Sequence, residues 1–318
     1  MKQRTPQSGA ILLLAMLAVA LIASLTAAAL WRQWRSVETE RAERERAQMV
    51  WVLNGALDWA RLILMEDARA GTVDHLSEPW AIPLQEAKLG SFLAAGSQED
   101  TPTLQAYLSG SISDEQALLN VSSLVVNGQV QLPMVGVFRQ LFRALGLPPS
   151  ELQALLAGLE TSSAAGTVQK PGDASTATPQ PLPPTRWAQL AFYGLSPGTL
   201  ARLAPFATLL PAPTPVNVNT ASPTVLQALF ADVDPARLQQ FVQRRLGTHF
   251  KTIDEVQAFL KSNGPSVDNR MISTDTHFFT VRGRLRLDQT LVQERSLLQR
   301  DGRKVSILWR QREPVTND

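Results

Sequence analysis

The sequence predicts an α+β fold: a long N-terminal helix, part of it a membrane span, packs on an antiparallel sheet, and an all-helical domain is inserted. Three observations predict this fold. Residues 10–31 form an uncharged apolar run, short helical units that begin with proline fill residues 133–262, and alternating apolar and polar residues follow residue 278.

The first element is a helix long enough to span a membrane. At about 1.5 Å per residue, residues 10–31 reach about 30 Å, the thickness of a bilayer's hydrocarbon core. Neither Gly nor Pro occurs in residues 10–52, and the charged stretch 38–48 places opposite charges four residues apart. We therefore expect one helix over residues 10–70, ended by Gly71.

Composition limits the classes of function. The chain has 318 residues and a formal net charge of +2, so no strongly charged partner is implied. It has no Cys, which excludes disulfides, Cys-ligated zinc and Cys nucleophiles. No G-x-S-x-G, P-loop or H-E-x-x-H motif occurs, and His75, His249 and His277 are isolated in the sequence, so we expect no enzyme.

Two groups of carboxylates are candidate sites. Asp74, His75 and Glu78 fit a metal site, but they lack a third strong ligand, so we favour a loop whose Trp80 packs against the long helix. The adjacent pair at 114 and 115 (Asp-Glu) fits acid–base chemistry, but no His lies nearby in the sequence. We favour a solvated turn after a short strand.

The middle of the chain predicts SAM-like or helix-hairpin-helix-like units. Ser196-Pro197 and Asp234-Pro235 are typical helix starts, with an N-cap followed by Pro at the first helical position. Residues 161–185 form a Pro- and Ser-rich loop.

The segment PTPVNVNTASPTVLQAL, residues 213–229, is loosely similar to DNA-binding helix-hairpin-helix modules. The turn that follows, residues 230–235, has two acids and no Gly, so it would repel a phosphate. We expect no nucleic-acid partner, and we expect Asn219 and Thr220 to cap the helix that begins near Pro223. Arg244 and Arg245 are expected to form an ordinary charged face.

The C-terminal segment predicts three strands. The first has an apolar face of Phe279, Val281, Leu285 and Leu287 and an opposite face of Arg282, Arg284 and Arg286. The three Arg fit an anionic partner or, as we favour, a solvated sheet face. A second strand is expected over residues 289–298, then a turn at Asp301-Gly302, then a strand in which Val305, Ile307 and Trp309 share one face.

Several of these motifs resemble the type IV pilin and pseudopilin class, and most closely the K-type minor pseudopilins of type II secretion. They are the short basic leader ending in Gly9, Leu14 in place of the usual Glu, TVDHLSEPWA at 72–81, Asp114-Glu115-Gln116 and PVNVNTAS at 215–222. The resemblance implies a pseudopilin fold. Its expected regions are a leader (1–9), a transmembrane part (10–31) and a periplasmic part (32–70) of the helix, a first body part (71–130), the inserted domain (131–265) and the final strands (266–318).

The resemblance also implies a place in the cell and a set of partners. A prepilin peptidase would cut between Gly9 and Ala10, and Ala10 would be N-methylated. The chain would cross the inner membrane once with its C-terminal part in the periplasm, and it would initiate and cap a pseudopilus with the I- and J-type minor pseudopilins and the major pseudopilin. Secreted proteins are further candidate partners.

The family's calcium ligands do not carry over. Residues 156–160 (LAGLE) stand where the family has an acid-rich stretch, and calcium needs six to eight oxygen ligands. We therefore expect no cofactor, and the question of a remaining calcium site stays open. The rival interpretations are a membrane-tethered helix-hairpin-helix protein for DNA uptake and a minor pilin of a type IV pilus.

The processing step can be tested directly by N-terminal sequencing and intact mass. Expressed with a prepilin peptidase, the chain should begin at methylated Ala10, and without the peptidase it should keep residues 1–9. A chain that begins near Leu30 in both cases would instead be an ordinary secreted protein.

Overall fold

A computed structural model describes residues 8–89, 106–165, 182–260, 268–287 and 290–314. Most of the expected leader and most of the Pro- and Ser-rich loop lie outside these residues. The chain divides into two compact units after Gly55, and each is described by itself.

The first unit consists of the greater part of helix α1, which runs from Ser8 to Ala70. The prediction of one uninterrupted helix is confirmed. Every side chain from Ile11 to Arg44 is exposed, including the whole apolar segment up to Trp31. By its length and composition this helix can cross a membrane, and such a crossing would cover its exposed Leu, Ile and Val side chains.

The second unit contains the other elements described. In chain order they are β1 (Leu84–Lys88), β2 (Ala106–Asp114), β3 (Leu119–Asn120), β4 (Val125–Val126), β5 (Gln129–Val130), α2 (Leu132–Ala144), α3 (Pro149–Ala165), α4 (Pro197–Leu203), β6 (Ala207–Thr208), β7 (Val216–Asn217), α5 (Pro223–Leu229), α6 (Pro235–Gly247), α7 (Ile253–Leu260), β8 (Ile272–Ser273), β9 (Phe278–Leu287), β10 (Thr290–Asp301) and β11 (Lys304–Glu313).

The main sheet is antiparallel, in the order β1-β2-β9-β10-β11. The end of α1 packs on one face of it, where Leu57, Ala60 and Leu64 meet Phe279 and Leu298. Trp80 is buried in the same core, with its ring edge-on to Phe279 at 5.3 Å between centroids. The predicted packing of Trp80 against the long helix is therefore confirmed.

The last strand differs from the prediction in one respect. A bulge shifts the register of β10 and β11, so that Leu298 pairs with Ile307 while Leu297 pairs with Trp309. Val305 lies in the core under α1, whereas Trp309 packs on the opposite face with Leu297. The expectation that Val305, Ile307 and Trp309 share one face is wrong, because the extra residue of the bulge reverses the alternation.

The inserted domain lies between β2 and β9 in the chain and has its own core, and its described residues form six α-helices. Phe241 stacks on Phe250 at 4.4 Å, and the core also takes in Leu119 and Ile272. Two short parallel bridges join distant segments, β3 with β6 and β7 with β8. The bounds 131–265 given above for this domain stay a prediction.

The N-cap residues of three helices can be compared with those that the sequence predicts. Ser196 and Asp234 cap α4 and α6, each with Pro at the first helical position, as predicted. The cap of α5 is Ser222, whose Oγ accepts from the backbone N–H of Val225. The expectation that Asn219 and Thr220 cap this helix is wrong, because both side chains are buried and bind elsewhere.

Candidate functional site

A buried cluster of polar side chains joins the inserted domain to the sheet and to the loop after α1. We call it the polar junction. Its members are Asp67, Asp74, Asp114, Glu115, Asn217, Thr220, Thr276 and Arg300. They come from the end of α1, the loop that follows it, the end of β2, the motif PVNVNTAS, the segment before β9, and β10.

Arg300 is the cationic centre of the junction. Its guanidinium donates to Asp67 Oδ2 at 2.7 Å and to both Asp74 oxygens at 2.5 and 2.6 Å. It also donates to the carbonyl of Thr276 at 2.9 Å and lies over the Phe279 ring at 4.8 Å. Both partner carboxylates are buried, so one side chain of β10 holds the end of α1 and the loop after it.

Among the described residues, the groups that bind Asp114 include no cation. Its Oδ1 accepts from the N–H of Gln116 at 2.7 Å and the hydroxyl of Thr276 at 2.6 Å. Its Oδ2 accepts from the amide of Asn217 at 3.0 Å and the hydroxyl of Thr220 at 2.5 Å. Four donors from three segments therefore converge on one carboxylate at the end of β2.

Glu115 holds the other side of the same turn. Its Oε1 accepts from Thr280 at 2.5 Å and from Arg295 at 3.1 Å, and its Oε2 accepts from Thr208 at 2.6 Å. Thr208 belongs to the inserted domain, while Thr280 and Arg295 belong to the sheet. Glu115 therefore binds both the inserted domain and the sheet directly.

The expectation of a solvated turn at Asp114 and Glu115 is wrong. Only 7% of Asp114 and 4% of Glu115 is exposed. A sequence signal for these contacts lies in the motif PVNVNTAS, where Asn217 alternates with the buried Val216 and Val218. Asn217 and Thr220 are both buried, so their donor groups need buried acceptors, and Asp114 accepts from both.

The structure does not bring the candidate metal ligands Asp74, His75 and Glu78 together as one group. The three carboxylates that do converge, with oxygens within 4.8 Å of one another, are Asp67, Asp74 and Glu78. Arg300 binds the first two, and Glu78 accepts from the N–H of His75 at 2.9 Å and from Trp80 Nε1 at 2.8 Å. The His75 ring instead stacks on His249 at 3.8 Å.

Of the two adjacent arginines near the end of α6, Arg244 is exposed and Arg245 is buried. Arg245 is 8% exposed, donates to the Val218 carbonyl at 2.6 Å, and has its pKa lowered to about 10 by burial. The Arg244 guanidinium lies over Phe250 at 4.7 Å and over Phe259 at 5.1 Å. Both side chains stabilise the inserted domain, so the expectation of an ordinary charged face is also wrong for Arg245.

Burial raises the pKa of two junction carboxyls. The pKa of Asp74 rises from 3.8 to about 6 because burial disfavours its charged form more than Arg300 favours it. The pKa of Asp114 also rises to about 6 because of burial, against the hydrogen bonds from Thr220 and Thr276. Both groups therefore titrate near neutral pH in the folded chain.

The raised pKa values predict a pH dependence of stability. A carboxyl whose pKa is higher in the folded chain than in the unfolded chain stabilises the fold in its protonated form. This stabilisation is fully present below the pKa of the unfolded state and is lost as pH rises through about 6. From about pH 5 to about pH 7, each of the two groups should lower the free energy of unfolding by roughly 1 kcal/mol. Denaturation of the full chain in detergent at both pH values measures this slope.

The control for the pH dependence is Asp114→Asn. The variant should be less stable at both pH values, because an amide offers one acceptor oxygen to four donors. Its slope with pH should nevertheless be shallower, because residue 114 can no longer ionise. An unchanged slope would show that Asp114 does not titrate in this range.

Arg300→Gln should destabilise the second unit by about 3–5 kcal/mol, because it leaves two buried carboxylates without their cation. The matched control is Arg303→Gln in the exposed β10–β11 turn, which should change stability by less than about 0.5 kcal/mol. Adding Asp74→Asn to Arg300→Gln should restore part of the loss, since it removes one uncompensated charge. Equal unfolding midpoints for the two single variants would contradict the role given to Arg300.

Comparisons with known proteins agree with one another. A family model described as "Type II secretion system (T2SS), protein K" matches residues 216–275, which include the segment that carries Asn217 and Thr220. A curated relative from Pseudomonas aeruginosa named Type II secretion system protein K is 29% identical over 296 residues, covering 87% of this chain and 84% of the relative. A second relative of the same name from Pectobacterium carotovorum subsp. carotovorum is 23% identical over 336 residues and covers 97% of both chains.

A solved structure has the same fold. A chain in the crystal structure of the GspK-GspI-GspJ complex from the enterotoxigenic Escherichia coli Type 2 Secretion System matches with a TM-score of 0.64 and 20% identity. The match covers 86% of this chain and 99% of that chain. With the apolar N-terminal helix and the PVNVNTAS motif already described, the sequence matches show that the chain resembles the type II secretion system protein K family, and the structural match shows that it has the fold of the solved chain.

Proposed function

We propose that this chain is a minor pseudopilin of the type II secretion system that acts at the tip of the pseudopilus, without catalysis, in the export of folded proteins. The observation that carries the proposal is the structural match, which covers 86% of this chain and 99% of the solved chain, together with the apolar first part of α1 in this chain. That chain is part of a complex with GspI and GspJ, so the I- and J-type minor pseudopilins are the partners proposed here.

The helix supports the proposed anchoring. Its uncharged first part would cross the inner membrane once, and we propose that the second unit lies in the periplasm. We propose further that a prepilin peptidase cuts between Gly9 and Ala10 and that Ala10 is then N-methylated. The major pseudopilin and the secreted proteins are the remaining partners in this proposal.

The inserted domain supports the position at the tip. A helical domain of this size between β2 and β9 would occupy space that a stacked subunit needs, and only the last subunit in a filament has no neighbour beyond it. Leu14 supports the same position. The Glu that the family usually has here would pair with the N-terminal amine of the subunit ahead, and a tip subunit has none ahead of it. The proposal of a type IV pilus minor pilin explains neither feature.

The partner proposal predicts a stable complex. Co-expressed with the I- and J-type minor pseudopilins, the full chain should co-purify with both from detergent-solubilised membranes. Leu62 is 50% exposed on α1, so Leu62→Glu should leave the fold intact but place a charge in a helix–helix contact. The amount of co-purified partner should then fall by about tenfold or more.

The matched control is Ile82→Glu, which adds the same charge at a residue that is 68% exposed and lies outside α1 in the sequence. It should leave co-purification unchanged. In a strain that lacks its own K-type protein, the wild-type chain should restore release of a folded secreted enzyme into the medium, and Leu62→Glu should not. A chain that neither co-purifies with the two partners nor restores secretion would overturn the proposed function.

A further inference from the structure

A groove of about 490 Å³ lies on the face of the sheet opposite α1. We call it the arginine groove. It is lined by residues 83–86 before and within β1, by Ser109 and Ser111 of β2, by Arg282, Arg284 and Arg286 of β9, and by Leu291 and Gln293 of β10. The polar junction and the core under α1 use none of these side chains.

The register of the strands explains why this face is a groove. Ser111 pairs with Arg282 and Ser109 pairs with Arg284, so short side chains lie beside long ones across the middle of the sheet. Gly110 pairs with Gly283 between them, and a Cβ atom at Gly110 would lie 2.7 Å from the Arg282 carbonyl oxygen. The two glycines therefore let β2 and β9 run close together beneath the arginines.

The charges in the groove do not balance. Arg286 pairs with Glu86 at 2.8 Å and lies over the Tyr107 ring, while Arg282 is 3.9 Å from Glu313. Within the described ranges, no carboxylate lies within ion-pair distance of Arg284, which is exposed between the other two. Glu86 is the one acidic residue in the lining against three arginines.

The spacing of the arginines selects an extended ligand. They occupy alternate positions of a central strand, so they are about 6.8 Å apart, and the row is roughly 13 Å long. Side chains on one face of an extended peptide have the same spacing. A carboxylate above each guanidinium could accept two parallel N–H donors, and the hydroxyls of Ser109 and Ser111 would add donors along the row.

We propose that the arginine groove binds an extended acidic segment of a partner protein, with carboxylates at alternate positions opposite Arg282, Arg284 and Arg286. The central contact is the one to Arg284, whose guanidinium forms no ion pair within the described part of the chain. The proposal rests on charge complementarity and strand spacing, so it holds or fails independently of the pseudopilin function.

The test uses the full chain in a neutral detergent and two fluorescein-labelled peptides of equal length and charge. One alternates Glu with Thr, and the other has its Glu residues in one block. Fluorescence anisotropy should show tighter binding of the alternating peptide, and this binding should weaken as salt is added. Arg284→Ala should weaken it by about fivefold or more, and Arg284→Lys by less, because Lys keeps the charge but loses the planar fork.

The matched control is Arg312→Ala, which removes the same charge from an exposed position on β11 outside the groove. It should change the affinity by less than about twofold. Equal losses for Arg284→Ala and Arg312→Ala, equal binding of the two peptides, or no binding would overturn the proposal. If Arg284→Ala reduces adsorption of anionic phospholipid micelles but not peptide binding, the groove binds lipid headgroups and the proposal is wrong.

Discussion

The arrangement of the second unit depends on the burial of charged and polar groups where the inserted domain meets the sheet. Asp74, Asp114, Glu115 and Arg300 are each at most 7% exposed. Groups of this kind cost several kcal/mol each if they are left without partners, so every alternative arrangement of the inserted domain that breaks the junction is strongly disfavoured. An apolar contact of the same area would tolerate small slides and rotations, whereas a carboxylate with four donors does not. The polar junction therefore orients the inserted domain, while the apolar cores supply the larger part of its stability.

The two units have opposite relations to solvent, and the sequence separates them sharply. Apolar side chains from Ile11 to Trp31 are exposed, so this part of α1 needs a surrounding of lipid or of other helices. In the second unit the end of the same helix buries Leu57 and Leu64 against the sheet. The charged stretch 38–48 separates these two parts of the helix in the sequence, and its side chains up to Arg44 are exposed.

Local patterns predicted the elements, and long-range contacts decided what the patterns could not. The single helix α1, the strands β9 to β11 and the caps Ser196 and Asp234 follow from signals within a few residues, and all are present. The errors at Asp114, Thr220 and Trp309 have a common cause. Asn217, Thr220 and Thr276 lie 103, 106 and 162 residues from the Asp114 carboxylate that they bind, and no local pattern reports such a pairing. The bulge that turns Trp309 to the other face likewise depends on the neighbouring strand.

The same contacts explain why the K-type motifs lie so far apart in the sequence. Three segments carry the resemblance separately in the sequence, namely TVDHLSEPWA, Asp114-Glu115-Gln116 and PVNVNTAS. The structure brings all three together at the polar junction. Asn217 donates to the Asp74 carbonyl at 3.1 Å and to Asp114, and Gln116 donates to the Pro215 carbonyl at 3.3 Å. Loss of the Asn217 side chain would leave the Asp74 carbonyl and the Asp114 carboxylate each without one buried donor. The motifs that carry the K-type resemblance therefore include residues that attach the inserted domain to the sheet and to the loop after α1.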